Sequence, residues 1–167
     1  MTLFSRRNLE VEEVQALYLE YGRALLLYAC SLLGRKHAAE DVLHQVFMKL
    51  LEHDAMPEEP KLYLFRAVRN VAFNVMRQQS RDVDLTDVES WFEAPPEDHL
   101  ASLTLKSELM HISAEQRQVL VLHVWGGLSF EEIGRIFDIS ANTSASRYRY
   151  ALEKLRSRMQ PQDPPCS

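Results

Sequence analysis

Between Ser140 and Lys154 the chain sets out polar and cationic side chains at a spacing suited to a nucleic-acid duplex: Ser140, Asn142, Thr143, Ser146, Arg147, Arg149, Tyr150 and Lys154. Asn and Arg can pair bidentately with purine edges in a major groove, and Ser and Thr can reach bases or phosphates. On a helix of 3.6 residues per turn, Thr143, Ser146, Arg147, Tyr150 and Lys154 form one stripe, flanked near its start by Asn142 and Arg149. Tyr148, Ala151, Leu152, Leu155 and Met159 form a second, apolar stripe that would pack on neighbouring helices. From Asn142 to Met159 there are five basic residues, Arg147, Arg149, Lys154, Arg156 and Arg158, against one acid, Glu153. Later cations such as Lys154 and Arg158 suit phosphates, which raise affinity without reading sequence. A solvated basic surface helix would carry the same charges. The polar N-terminal face beside a clean apolar stripe favours DNA over that reading.

Nothing comparable speaks for catalysis. The sequence has no Gly-rich phosphate loop, nucleophile motif or paired catalytic carboxylates. His37, Glu40 and His44 share one helical region, with Glu40 and His44 one turn apart. A structural zinc site needs four ligands, and the two thiols, Cys30 and Cys166, are remote. The trio therefore reads as a surface carboxylate–histidine pair, and no metal, cofactor or catalytic residue is expected.

The elements that must hold the basic face are helical by their period throughout, and no segment shows the alternation of a strand flanked by turns. Val11, Val14, Leu17, Tyr18, Leu25 and Tyr28 mark a long first helix that Gly34 closes. Val42, Leu43, Val46, Phe47, Leu50 and Leu51 mark a second. After the break HDAMPEEP a third begins near Lys61, with Leu62, Phe65, Val68, Ala72, Val75 and Met76 on its inner side. Another is expected over Leu100 to His111. Ser113 with Gln116 forms a capping box for a helix through Val119, Leu120, Leu122 and Val124, which Gly126-Gly127 stops. Ser129 with Glu132 forms a second box, for a short helix burying Phe130, Ile133 and Ile136. Asp138-Ile139 then turns, and Ser140 caps the basic helix. Short capped helix, three-residue turn and longer basic helix make a helix-turn-helix.

The charge distribution divides the chain. The 167 residues carry a net charge of −5. Residues 1–80 hold ten basic and ten acidic side chains, residues 81–107 two and seven, and residues 108–167 seven of each. The whole acidic excess thus sits in one aperiodic stretch that contains Pro95-Pro96 and reads as a linker. The expected fold is all-α, with two small helical domains at 1–80 and 101–160, a flexible acidic linker at 81–100 and a disordered tail at 161–167. The most apolar run, Ala24 to Cys30, is too short to span a bilayer. No signal peptide is visible, and two lone thiols suit a reducing cytoplasm.

Ile112 to Met159 resembles the C-terminal promoter-reading domain of the extracytoplasmic-function (ECF) group of sigma-70-type RNA polymerase sigma factors. That family's pattern runs roughly L-P-x-x-x-R-x-V-x-x-L, a Gly-containing turn, S-x-x-E-I-A and T-V-K-S-R-x-x-R-A-x-x-x-L-R. AEDVLHQVF, from Ala39 to Phe47, is similar to its A-E-D-L-V-Q-E-V-F, and YLFRAVRNVAFNVMRQQSR, from Tyr63 to Arg81, to its W-L-F-x-I-A-R-N-x-x-x-D-x-x-R. Two matches in order are far more specific than one helix-turn-helix. The departures are His44-Gln45 for Gln-Glu, Ser144-Ala145 for Val-Lys, Tyr63 for Trp and Asn74 for Asp.

The resemblance implies a division of labour. Asp41, His44, Gln45 and Phe47 would dock on the clamp helices of the largest subunit of core RNA polymerase. The third helix would face the −10 element of promoter DNA and help open it, and the last would read the −35 element as duplex. The family also commonly uses an anti-sigma factor. The third helix suits its role on physical grounds too. Holding a strand out of a duplex calls for cations along a groove and for groups that bond or stack with bases. Arg66, Arg69 and Arg77 supply the cations, and Asn70 and Asn74 the hydrogen bonds. Tyr63 fits stacking and core packing equally, whereas Phe65 and Phe73 are expected in the core. The acidic linker suits either an RNA-mimicking segment in a polymerase channel or a solvated spacer. A self-sufficient helix-turn-helix regulator would leave the first module unexplained. A degenerate sigma-like subunit would bind polymerase without reading DNA.

Overall fold

A computed structural model of the chain describes residues 10–79 and 99–160. Of the linker expected at 81–100, residues 81–98 lie outside the described residues, as does the 161–167 tail with Cys166, while His99 and Leu100 are already helical. Those described form seven helices and no strand: α1 (Val11–Leu33), α2 (Lys36–Leu51), α3 (Pro60–Gln79), α4 (His99–Met110), α5 (Ala114–Val124), α6 (Phe130–Phe137) and α7 (Ala141–Met159). The chain falls into two compact units, Met1–Trp91 and Phe92–Ser167. Among the described residues no helix is long and apolar enough to cross a membrane.

In the first unit α1 packs on both α2 and α3, and α2 on α3. The apolar stripes meet in a core that includes Leu25, Tyr28, Val42, Val46, Leu50, Leu64, Phe65 and Val68. Tyr28 and Phe65 lie 6.1 Å apart at its centre, and burial pushes the Tyr28 phenol well above its ordinary pKa. Gly34 ends α1 with φ 73°, its N–H donating to Cys30 O at 2.9 Å. Glycine adopts that left-handed conformation without a Cβ penalty. The stripe of α1 is only partly inward: Val14, Leu25 and Tyr28 are buried, while Val11 and Tyr18 are 68% and 52% exposed. Val11 is the first residue of its helix, and Tyr18 lies edge-on over Phe47 at 5.2 Å, covering that ring while staying half in solvent. Burial along α3 fades after Ala72, so that Val75 is half-buried and Met76 exposed.

In the second unit α4, α5 and α6 all pack against α7. Leu109, Ile112, Leu120, Ala151 and Leu155 form a core cluster flanked by Leu105, Trp125, Tyr148 and Leu152. Ser113 Oγ accepts from the Gln116 N–H at 3.3 Å, but Gln116 Oε1 is buried without a hydrogen-bond partner among the described residues, so only half of that box forms. The Ser129–Glu132 box is complete, with Ser129 Oγ accepting from Glu132 N–H at 3.1 Å and Glu132 Oε2 accepting from Ser129 N–H at 2.7 Å. Ser140 Oγ caps α7 by accepting from Thr143 N–H at 3.1 Å. The connection between α6 and α7 turns on Asp138, which is left-handed at φ 56°, a conformation Asp adopts more readily than most residues.

Aromatic stacking fixes how α7 leaves that turn. The His123 ring stacks on Phe130 at 4.4 Å and meets Tyr148 edge-on at 4.8 Å, joining α5, α6 and α7. His123 Nδ1 donates to Leu128 O at 2.8 Å, which orients the ring. Phe130, expected in the core, is only half-buried because its ring is shared between His123 and Tyr148. At the other end of α5, half-buried Arg117 donates to Leu109 O at 3.5 Å and holds the end of α4; burial lowers its pKa.

Candidate nucleic-acid interface

The basic helix α7 buries Ser144, Ala151 and Leu155 and half-buries Tyr148 and Leu152, so the apolar stripe lies inward as its period requires. Met159, at the end of that stripe, is instead 51% exposed. Ser144, where the family pattern has Val, is fully buried, and its hydroxyl is satisfied by donating to Ser140 O at 3.3 Å. The opposite stripe is open: Asn142, Thr143, Arg149, Tyr150 and Lys154 are exposed, and Ser146 and Arg147 are half-buried. Several of these groups already have partners. Ser140 and Thr143 share a hydroxyl hydrogen bond of 2.9 Å within the cap. Arg149 Nη2 donates to Ser146 Oγ at 3.1 Å, Arg147 Nη2 meets Glu115 Oε2 at 3.2 Å, and Arg158 bonds to Glu108.

In the first unit the six α3 candidates come together along two adjoining grooves. Tyr63, Arg66, Asn70 and Asn74 line one of about 260 Å³, whose other wall is Val46 and Lys49 of α2. Arg69, Asn70, Asn74 and Arg77 line the next, of about 490 Å³, with Phe73. Asn70 and Asn74 are therefore common to both. Arg66, Asn70, Asn74 and Arg77 are exposed, and Arg69 lies 4.7 Å over the Phe73 ring. Phe65 is in the core as expected, but Phe73 is half-buried and forms a groove wall under Arg69. Tyr63 is half-buried too, with its hydroxyl 3.1 Å from His53 Nε2 and its ring edge-on to that imidazole at 5.3 Å. Burial raises its pKa, so it stays a neutral phenol able both to stack and to hydrogen-bond. The sequence reading missed Lys49, His53 and Phe73. Lys49, one turn beyond Gln45 on the outer side of α2, carried a signal; His53, in the break after α2, carried none.

The α2 candidates divide. Asp41, His44 and Gln45 are exposed on one side of the helix. Phe47 is not on that surface. It is 7% exposed, turned into the core and covered by Tyr18, so it supports the helix from beneath rather than meeting a partner. Beside the exposed three, Met48 is 49% exposed and supplies apolar area that the sequence reading left out. Glu40 pairs with His37, at 3.5 Å, rather than with His44.

Two family models match the chain, in order and without overlap: Sigma-70 region 2 over residues 17–82 and Sigma-70, region 4 over residues 102–155. The first takes in α2, α3 and most of α1, and the second most of α4 through α7. Relatives match across both. The chain is 28% identical to the ECF RNA polymerase sigma factor SigL of Mycobacterium tuberculosis over 161 residues, covering 90% of this chain and 91% of that protein. It is 25% identical to the ECF RNA polymerase sigma factor SigM of Bacillus subtilis over 153 residues, covering 86% and 93%. Its fold is similar to that of the sigma factor RpoE of Bartonella quintana, solved with the anti-sigma factor NepR, at a TM-score of 0.75 and 25% identity over 92% of this chain and all of that one. CnrH, solved with the cytosolic domain of CnrY, shares the fold at a TM-score of 0.68 and 18% identity, covering 95% of this chain and 94% of that one. With a region 2 that carries the α3 grooves and a region 4 that carries the basic helix α7, the chain belongs to the sigma-70 family of promoter-recognising RNA polymerase sigma factors, in its ECF group.

Proposed function

We propose that the two units divide promoter recognition between them. The exposed side of α2, with Asp41, His44 and Gln45, docks on the clamp helices of core RNA polymerase, and Met48 adds apolar contact there. The α3 grooves receive unpaired bases of the −10 element: Arg66, Arg69 and Arg77 meet phosphates, Asn70 and Asn74 bond to base edges, and Tyr63 stacks. In the second unit α6, the turn at residues 138–140 and α7 act as a helix-turn-helix, and Asn142, Thr143, Ser146, Arg147, Arg149, Tyr150 and Lys154 face the −35 duplex. Ser140 contributes as the cap, presenting the free N–H groups of α7 to a phosphate. The protein adds no bond-making chemistry of its own and works in the cytoplasm, where the polymerase carries out polymerisation. An anti-sigma factor is a natural regulator, since the similar sigma factor RpoE was solved in complex with the anti-sigma factor NepR.

The observation that carries this reading is the convergence of all six α3 side chains on two adjoining grooves that share Asn70 and Asn74. A solvated basic helix would scatter its cations over its exposed surface; here cations, amides and rings line continuous concave walls, as a single strand requires. Run-off transcription on fragmented genomic DNA, with purified bacterial core polymerase with and without the protein, tests it. Discrete transcripts that depend on the protein are expected. Polymerase binding without transcripts would point to a degenerate subunit, and neither binding nor transcripts to an independent regulator.

A further inference from the structure

Arg147 belongs to the open stripe of α7, yet it does not project freely. Its Nη2 is 3.2 Å from Glu115 Oε2, and its side chain is 27% exposed. Glu115 lies in the first turn of α5, next to the Ser113 cap, and its side chain is 69% exposed. A guanidinium is a planar fork of five donors. Contact through one terminal nitrogen restrains the fork at one edge and leaves its other donors open. The same carboxylate puts a negative charge beside the DNA-facing stripe, where it repels a phosphate that Arg147 would otherwise reach. Nearby Arg149 is held by a neutral group, Ser146 Oγ, so within this stripe the charged restraint falls on Arg147 alone among the contacts described.

We propose that Glu115 is a positioning residue for −35 recognition: it aims Arg147 at base edges and keeps it off the phosphate backbone, so that discrimination is gained at the expense of affinity. This rests on the reading of α7 as the −35 helix. Glu115 also sits where a carboxylate favours a helix N-terminus, and a purely structural role of that kind makes a different prediction. It would lower the melting temperature of the unit and weaken binding to every duplex alike.

Selection from a randomised duplex library, by holoenzyme assembled from bacterial core polymerase and the full chain, separates the two. Arg147→Ala should flatten the preference at one or two base pairs. Glu115→Ala should flatten the same pairs, by about two- to fivefold, the range an exposed ion pair can supply. It should also tighten binding to a non-cognate duplex and steepen the salt dependence by about one phosphate contact, as Arg147 turns to the backbone. The double variant should match Arg147→Ala in its base preference. Glu115→Asp keeps the charge at the helix start but withdraws the carboxylate from Arg147, and should melt like the unsubstituted protein while showing the preference of Glu115→Ala. Unchanged preference in both Glu115 variants, loss at base pairs indifferent to Arg147, or uniform weakening by Glu115→Asp would each overturn the proposal. If Arg147→Ala itself alters no base pair, the −35 reading of α7 falls and the proposal with it. If it does and the Glu115 variants do not, only the positioning role falls.

Discussion

Ser129→Ala removes the oxygen that accepts from Glu132 N–H at 3.1 Å and leaves the return bond, from Ser129 N–H to Glu132 Oε2 at 2.7 Å, in place. Loss of an N-cap serine costs about 1 kcal/mol. α6 has only eight residues, too few to persist without its neighbours. Ile133, Gly134 and Ile136 are buried and α6 packs against α7, so fraying at Ser129 draws on the stability of the whole second unit. A loss of about 1 kcal/mol should lower its melting temperature by about 4–8 °C for a domain of this size. Glu132→Ala removes the other half of the box, and the double variant should cost less than the two singles added, by about 0.5 kcal/mol, because each bond holds the geometry of the other. Urea unfolding followed by Trp125 fluorescence measures this, since Trp125 packs against the core cluster of that unit. A Trp91→Phe background leaves Trp125 as the single tryptophan of the chain. An unchanged midpoint for Ser129→Ala, or strictly additive costs, would refute the reciprocal box as a source of stability.

Replacing Asn70 and Arg77 together with Ala should spare polymerase binding and impair promoter opening; permanganate footprints identical to those of the unsubstituted holoenzyme would contradict the groove assignment. Phe47→Ala should destabilise the first unit by about 3–5 kcal/mol, whereas Asp41→Ala with Gln45→Ala should leave melting within about 0.5 kcal/mol and weaken the affinity for core polymerase, so a Phe47→Ala protein that melts normally would place that ring on the surface after all. Burial raises the Tyr28 pKa in the folded state, so the folded chain holds this proton more tightly than the unfolded one. The corresponding stability is complete below about pH 10 and falls as the pH rises past it. Tyr28→Phe should make alkaline unfolding less steep, and equal steepness in the two proteins would refute the link.

Signals that act within about one helical turn were legible in the sequence. Gly34, Ser129 with Glu132 and Ser140 end or begin helices through bonds to residues three or four positions away, and such bonds depend on little but the local chain. The inward stripes of α2 and of the first part of α3 were legible for a similar reason: each is flanked by helices along the length that the period describes. The period could not say where that flanking ends. Phe65 and Phe73 lie on α3 within about two turns of each other, yet the first is fully buried and the second a groove wall, because cover fades past Ala72. Phe47 shows the converse. The family's pattern places it on a docking surface, but it is turned into the core and Tyr18, on another helix, lies over its ring.

Charge shows most plainly what a sequence count leaves out. Residues 108–167 hold seven basic and seven acidic side chains, which describes a neutral segment and says nothing of how the signs are placed. In the fold, Glu108 reaches Arg158 and Glu115 reaches Arg147, each acid on a helix that packs against α7. Partly exposed pairs of this kind contribute little to stability, about 0–1 kcal/mol. Their consequence is geometric: they bias Arg147 and Arg158 toward the neighbouring helices. A helix whose cations were all free would bind DNA through its backbone, with little regard for sequence. Under the positioning role proposed for Glu115, α7 gives up part of that attraction, and a carboxylate on the neighbouring helix biases Arg147 toward one orientation, which is what reading a base edge requires.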